Sequence, residues 1–118
     1  MKESSLIGFS RGNLTGSSFQ AVNPATGASL GVHYVHASEA ELNRACELAK
    51  KASLSMASLS GMEKAYFLRS LADLIDGAVE ELVKLMPNET GLPQSRVRGE
   101  AGRTSGQLRM FGNLVEEG

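Results

Sequence analysis

The 118-residue sequence has one cysteine, no tryptophan, three prolines and no long apolar run. A single cysteine excludes an intramolecular disulfide and a metal site built from several cysteines. Because aromatic residues make up only 5% of the chain, a core must be built from leucine, alanine, valine and methionine. The formal net charge of −1 gives no electrostatic reason to expect a nucleic acid or an anionic membrane as a partner.

The first ten residues also lack the pattern of a targeting segment. After Lys2 they contain only three large apolar side chains, those of Leu6, Ile7 and Phe9. A signal peptide needs a continuous apolar region, and a membrane-spanning helix needs about 20 mostly apolar residues. We therefore expect a soluble, cytoplasmic protein. The length is enough for one ordinary domain and too short for two.

What the sequence does contain begins with turn formers and short apolar stretches over residues 1–36, a pattern typical of strands and loops. Residues 19–22 alternate in polarity at the strand period, and residues 30–35 resume it. Between them, Pro24 presets φ, Asn23 can bond its own backbone and Gly27 tolerates a positive φ. This segment predicts a β-hairpin.

From residue 38 the apolar period changes from two to 3.6, which predicts helices. Three are expected, over residues 38–53, 60–86 and 93–115. Two sequences of the capping-box type open the first two helices: Ser38 with Glu41, and Ser60 with Glu63. In such a box each side chain satisfies a free backbone N–H at the other end of the first turn.

Proline and glycine interrupt the helical pattern in the second half of the chain. Pro87 lacks an N–H and clashes with the preceding turn, so we expect the second helix to stop or kink just before it. Pro93 suits the first turn of the third helix. Three glycines lie inside that helix: Gly99, Gly102 and Gly106. Each costs roughly 1 kcal/mol relative to alanine, so this helix should need tertiary partners, and its glycines would let a backbone or a ligand approach.

Few residues offer chemistry by themselves. Cys46 falls on the apolar face of the first helix, so we expect a small core residue, because a reactive thiolate needs positive, partly exposed surroundings. His33 and His36 have no third ligand nearby, so no metal site is expected. The glycines of the third helix do not follow a predicted strand, so a dinucleotide-binding loop is not expected there.

Arginines cluster in the third helix, at positions Arg96, Arg98, Arg103 and Arg109. Two interpretations stay open on the residues alone. The arginines form a solvated face, with Glu100 between them, or one arginine points into a pocket and binds a carboxylate through two hydrogen bonds.

Four motifs in order along the chain resemble those of aldehyde dehydrogenases. Residues 19–27 resemble the family's Asn-Pro-Ala-Thr-Gly hairpin, residues 37–41 its entry into the first helix, and residues 63–75 its second helix. Residues 89–93 resemble its Glu-Thr-Gly-Lys-Pro break, with Leu92 in place of the usual lysine. Pro87 departs from the family pattern, since the family's second helix continues there.

A narrower resemblance is to the α-ketoglutaric semialdehyde (2,5-dioxovalerate) dehydrogenases, carried by residues 6–10, 89–93 and 99–109. It implies an α/β fragment over residues 1–118, with an N-terminal β-hairpin followed by three α-helices, the front part of an aldehyde dehydrogenase cofactor-binding domain. The whole enzyme would use NAD or NADP to oxidise α-ketoglutaric semialdehyde or a related acidic aldehyde to the carboxylic acid. Its expected partners are the rest of the chain, the small aldehyde and further copies of itself.

The same resemblance implies that the third helix lines the substrate tunnel. Arg103 would face the tunnel and bind the distal carboxylate, and Glu100, Gln107 and Phe111 are weaker candidates. The family's catalytic cysteine, glutamate base, asparagine and cofactor loops lie downstream, so no catalytic or cofactor residue is assigned, and the fragment alone is expected to be inactive and cofactor-free. Pro87 also raises the alternative of a truncated gene product. A further alternative is a stand-alone helical interaction module that docks through its exposed apolar faces.

Overall fold

The computed structural model describes residues 1–118 and consists of two compact units, residues 1–57 and residues 58–118. Five short strands come first: β1 (Lys2–Glu3), β2 (Leu6–Ile7), β3 (Ser10–Arg11), β4 (Ser18–Val22) and β5 (Ser29–Val35). Three helices follow: α1 (Glu39–Ser58), α2 (Gly61–Thr90) and α3 (Gln94–Glu117). None of the helices is both long and apolar enough to cross a bilayer. The assignment of residues 1–118 to one partial domain stays a prediction.

The predicted β-hairpin is formed by β4 and β5, which pair antiparallel. In the turn, the side-chain oxygen of Asn23 accepts a hydrogen bond from the amide of Ala25 at 2.9 Å. Gly27 takes a φ of 72°, and its amide donates to the carbonyl of Asn23 at 2.8 Å. The sequence did not predict two further pairings: β1 joins the other edge of β5 in parallel, and β2 pairs with β3 in a separate small hairpin.

Helix α1 opens with the predicted capping box. The amide of Ser38 donates to Glu41 at 2.8 Å, and the amide of Glu41 donates to the Ser38 hydroxyl at 3.3 Å. The helix extends to Ser58, five residues beyond the expected end at 53. No residue of α1 is buried, and Cys46 is exposed. The expectation that Cys46 is a core residue was therefore wrong, because the apolar face of α1 belongs to no core in this chain.

Helix α2 begins with the second capping box, in which the amide of Glu63 donates to the Ser60 hydroxyl at 3.2 Å and the amide of Ser60 donates to Glu63 at 2.8 Å. Of the two outcomes expected just before Pro87, a stop or a kink, the stop was wrong, because α2 continues to Thr90 with the proline inside. Pro87 has no N–H to donate to the carbonyl of Val83, so α2 continues with one backbone hydrogen bond fewer. The helix then ends at Gly91, whose φ of 72° is left-handed and whose amide donates to the carbonyl of Pro87.

Side chains also support this last turn. Asn88 donates to the carbonyl of Lys84 at 3.1 Å, and the hydroxyl of Thr90 donates to the carbonyl of Met86 at 2.6 Å. These bonds add side-chain donors to backbone carbonyls four residues earlier in the helix.

Helices α2 and α3 pack side by side in the second unit, and their chain directions are opposite. Arg69, near the start of α2, pairs with Glu116 at the end of α3, and Arg98, near the start of α3, pairs with Glu80 of α2. The buried residues of the pair are mostly small: Ala65, Ala72, Val83, Val97, Ala101, Ser105 and Gly112.

Small residues let the two backbones approach closely at one end of the pair. A methyl group built at Gly61 would overlap the carbonyl oxygen of Val115, and one built at Gly112 would lie 3.5 Å from the carbonyl oxygen of Ala65. The glycines singled out in the sequence behave differently. Within this chain, nothing lies within 4 Å of a methyl group built at Gly99, Gly102 or Gly106.

Candidate substrate-binding face

Four residues predicted to contact substrate lie on one face of α3, which we call the free face: Glu100, Arg103, Gln107 and Phe111. Their separations of three, four and four residues stack side chains along one side of a helix. Arg103, Gln107 and Phe111 are exposed and Glu100 is half-buried. The structure therefore brings all four together.

The rest of α3 explains why this face is free. Its buried residues, Val97, Ala101, Ser105 and Gly112, are spaced by four, four and seven positions, so they share the side that packs on α2. At 1.5 Å rise per residue, the free face extends for about 16 Å along the helix from Glu100 to Phe111. Its first part is polar and its last part apolar, with Phe111 49% exposed.

Three of the four arginines of α3 form ion pairs within the chain, and two of these pairs are with carboxylates of α2. Arg98 donates to both carboxylate oxygens of Glu80, at 2.5 and 3.0 Å. Arg109 contacts Asp73 at 2.6 Å and Asp76 at 2.8 Å. These two arginines thus attach α3 to α2.

The remaining two arginines lie away from α2. Arg96 pairs with Glu100, four residues further along α3, at 2.7 Å. Arg103 is exposed and has no carboxylate partner in the chain. The two interpretations of the arginine cluster therefore apply to different residues. Three of the arginines form ion pairs, whereas the guanidinium of Arg103 is available to a ligand.

The ion pairs between the helices also perturb titration. Hydrogen bonds from Ser105 and from Arg109 lower the pKa of Asp76 below its ordinary value. The hydrogen bonds from Arg98 lower the pKa of Glu80 in the same way. These carboxyl groups therefore stay ionised at a more acidic pH than unpaired carboxyl groups do.

The chain is similar in sequence and in structure to known proteins. The chain matches the aldehyde dehydrogenase family over residues 12–117. It belongs to the aldehyde dehydrogenase family. It is 42% identical over 70% of its length to α-ketoglutaric semialdehyde dehydrogenase 2 of Azospirillum brasilense, covering 16% of that protein. It is 40% identical over 84% of its length to 5-carboxymethyl-2-hydroxymuconate semialdehyde dehydrogenase of Escherichia coli, covering 21% of that protein.

A third relative is the α-ketoglutaric semialdehyde dehydrogenase of Acinetobacter baylyi, 31% identical over 84% of the chain and 19% of the relative. The chain thus spans about a fifth of the length of these aldehyde dehydrogenases. A solved structure, PnpE in complex with nicotinamide adenine dinucleotide, matches with a TM-score of 0.86 at 28% identity, over 99% of this chain and 24% of that chain. The predicted fold, the front part of an aldehyde dehydrogenase cofactor-binding domain, is confirmed.

The three glycines Gly99, Gly102 and Gly106 do not form a dinucleotide-binding loop. A dinucleotide-binding loop joins a strand to a helix N-terminus, whereas Gly99, Gly102 and Gly106 all lie inside α3. Cys46 lies in the middle of α1, away from the helix N-terminus that would stabilise a thiolate. No cofactor contact and no catalytic role is therefore assigned to a residue of this chain.

A feature that sequence reasoning missed lies in the first unit. An open groove of about 730 Å³ runs between the β2–β3 hairpin and α1. Leu6, Phe9 and Leu48 contribute apolar walls, and Arg44 lies at its side. The only sequence signal was the set of large apolar side chains in a turn-rich segment. The groove holds no arrangement of acid, base and nucleophile, so it is not a candidate active site.

Proposed function

We propose that the protein containing this chain is an NAD(P)-dependent dehydrogenase that oxidises α-ketoglutaric semialdehyde, or a related acidic aldehyde, to the carboxylic acid. The observation that carries the proposal is the unpaired guanidinium of Arg103 on the free face of α3. Two relatives are named for α-ketoglutaric semialdehyde and one for a carboxymethyl semialdehyde. Each of these compounds carries a carboxylate, for which an arginine is a suitable partner.

The geometry of the free face suits such a substrate. A guanidinium presents parallel N–H donors that match the two oxygens of a carboxylate. Gln107, one turn further along, offers an amide that can donate to or accept from a polar substituent. Phe111, a further turn on, provides an apolar surface for the carbon chain. We propose that Arg103 anchors the acid end and thereby orients the aldehyde end.

The reacting groups are proposed to come from the rest of the polypeptide. Holding a substrate in one orientation raises the rate of a later step only when the reacting groups are already in place. We therefore propose that residues 1–118 alone do not oxidise aldehydes, and that NAD or NADP is bound by the full-length protein. We further propose that the full-length protein is a homo-oligomer of the cytoplasm.

The role of Arg103 is tested by Arg103→Ala in the full-length protein, with α-ketoglutaric semialdehyde and with pentanal, an uncharged five-carbon aldehyde. A charge-assisted hydrogen bond of ordinary strength predicts a fall in kcat/KM of about ten- to a hundredfold for the acidic substrate, and no change for pentanal. The matched control is Arg98→Ala, which removes an equal charge from the same helix on the side facing α2. An unchanged KM for the acidic substrate would contradict the proposal.

The inactivity of the segment is tested separately. Purified residues 1–118 are incubated with NAD or NADP and a panel of aldehydes, and reduced cofactor is followed by absorbance. We expect no turnover above buffer. Turnover that copurifies with the chain through two independent columns would refute this part of the proposal.

A second candidate function is a stand-alone interaction module, favoured by the exposed apolar face of α1, in which no residue is buried. The two functions differ in what the gene encodes after Gly118. A continuing reading frame with a glycine-rich loop and a later cysteine supports the dehydrogenase. A stop codon in the transcript at that point supports the module.

A further inference from the structure

We propose that Arg96 is a positioning residue: it holds the carboxylate of Glu100 away from Arg103 and so keeps Arg103 available to an acidic substrate. The inference rests on the proposed function, because it assumes that Arg103 binds the substrate carboxylate. It adds a residue that touches no substrate and that lies one turn before the free face.

The spacing makes Glu100 a shared partner. Glu100 lies four residues after Arg96 and three residues before Arg103. Both separations place two side chains next to each other on a helix. The carboxylate of Glu100 can therefore pair with either arginine. In the structure it pairs with Arg96 at 2.7 Å, and Arg103 has no partner.

Without Arg96, Arg103 would be the one remaining arginine that lies next to Glu100 on the helix. Removal of Arg96 would thus leave Glu100 to pair with Arg103, and a substrate carboxylate would have to displace it.

A second effect acts in the same direction. With Arg96 absent, the charge of Glu100 is no longer balanced by its present partner and lies on the face that receives the substrate. Like charges repel, so an acidic aldehyde would be disfavoured even where Arg103 stays free. An uncharged aldehyde would feel neither effect, which separates this role from a general loss of structure.

The expected change in KM is small. Arg96 is 63% exposed and Glu100 is 37% exposed, and ion pairs between exposed side chains are weak. Competition from such a pair corresponds to a rise in KM of about two- to fivefold for the acidic substrate.

The test is a double-mutant cycle in the full-length protein, with KM and kcat measured for α-ketoglutaric semialdehyde and for pentanal. We expect Arg96→Ala to raise KM for the acidic substrate only, and to leave kcat unchanged. In the Glu100→Gln background, adding Arg96→Ala should have no further effect, because no carboxylate remains to compete. Arg96→Lys, which keeps the charge, should restore the KM of the parent. Arg98→Ala is the control for loss of an arginine elsewhere on α3.

The outcomes separate this inference from the proposed function. If Arg96→Ala leaves KM unchanged, or raises it equally with and without Glu100→Gln, the positioning role is wrong. Should Arg103→Ala still abolish the preference for the acidic aldehyde, the proposed function stands without it. If Arg103→Ala has no effect either, both are wrong.

Discussion

Helix α1 and the pair of helices α2 and α3 begin from similar sequences and reach different environments. Both α1 and α2 open with a serine–glutamate capping box, and both carry an apolar stripe. Yet α1 buries none of its 20 residues, whereas α2 and α3 together bury seven. A cap and an apolar stripe thus determine where a helix begins and which of its sides is apolar. Burial of that side also requires a neighbouring helix with matching small residues.

The largest expected effect is at the closest approach of the two packed helices. Gly61→Ala would place a methyl group against the carbonyl oxygen of Val115, and a backbone carbonyl cannot rotate away as a side chain can. We expect the free energy of unfolding to fall by about 3 kcal/mol, at the upper end for overpacking, as measured by urea unfolding of residues 1–118.

Gly77→Ala is the matched control within α2. Nothing lies within 4 Å of a methyl group built there, so the substitution should stabilise the helix by about 0.5–1 kcal/mol. Equal effects of the two substitutions would show that the helices do not approach at Gly61.

The second prediction tests whether burial really distinguishes the two regions. Val97→Ala removes two methyl groups from a side chain that is 1% exposed, and we expect a loss of about 2 kcal/mol from lost burial and the residual cavity. Leu54→Ala, in α1, removes more atoms from a side chain that is 76% exposed, so thermal and urea unfolding of residues 1–118 should hardly change. A larger loss at Leu54 would mean that α1 is covered in solution.

The third prediction concerns the caps. Ser60→Ala removes the hydroxyl that accepts from the amide of Glu63, which should cost about 1 kcal/mol of global stability. Ser38→Ala removes the same contact in α1, where no core depends on it. We expect faster hydrogen exchange confined to the first turn of α1 and a smaller change in global unfolding. Identical global losses would contradict the comparison.

The smallest expected effect is that of pH on the stability of the second unit. Hydrogen bonds lower the pKa of three carboxyl groups in the second unit. Those from Ser105 and then Arg109 act on Asp76, that from Arg98 acts on Glu80, and that from Arg69 acts on Glu116. Because each folded-state pKa lies below the unfolded one, the stability they add is fully present above their ordinary values of 3.8 and 4.5. It is lost as pH falls through the lowered values.

We therefore expect the urea midpoint of the second unit to fall on acidification below these ordinary values. The variant that combines Asp76→Asn, Glu80→Gln and Glu116→Gln should show a flatter pH profile in the same titration. A profile as steep as that of the parent would assign the acid sensitivity to other groups.

Local features of the fold could be predicted from the sequence, because their causes are local. The hairpin follows from the turn residues 23–27, and the helix starts at Ser38 and Ser60 follow from their capping partners three residues on. Helix ends were harder: α2 continues through Pro87 to Thr90, although a proline removes a backbone hydrogen bond and crowds the preceding turn. The exposure of Cys46 could not be predicted, because burial would depend on a neighbour that the pattern of α1 does not specify.

The candidate site likewise has one feature that could be predicted from the sequence and one that could not. The common face of Glu100, Arg103, Gln107 and Phe111 follows from their spacing, whereas the choice of Arg103 among the arginines does not. That choice depends on carboxylates of α2, such as Asp73, which lie 36 residues from Arg109 in the chain and meet it only in the folded structure.

The separation of α3 into a side that packs on α2 and a free face has a consequence for how such a protein can change over generations. Substitutions at Arg103 or Gln107 touch no buried contact, so these positions can vary without a penalty in folding. On the opposite side, Val97 and Ala101 are buried, and a larger side chain there would have to displace its neighbours. Lineages that share this helix pair should therefore diverge on the free face sooner than in the way the helices fit together.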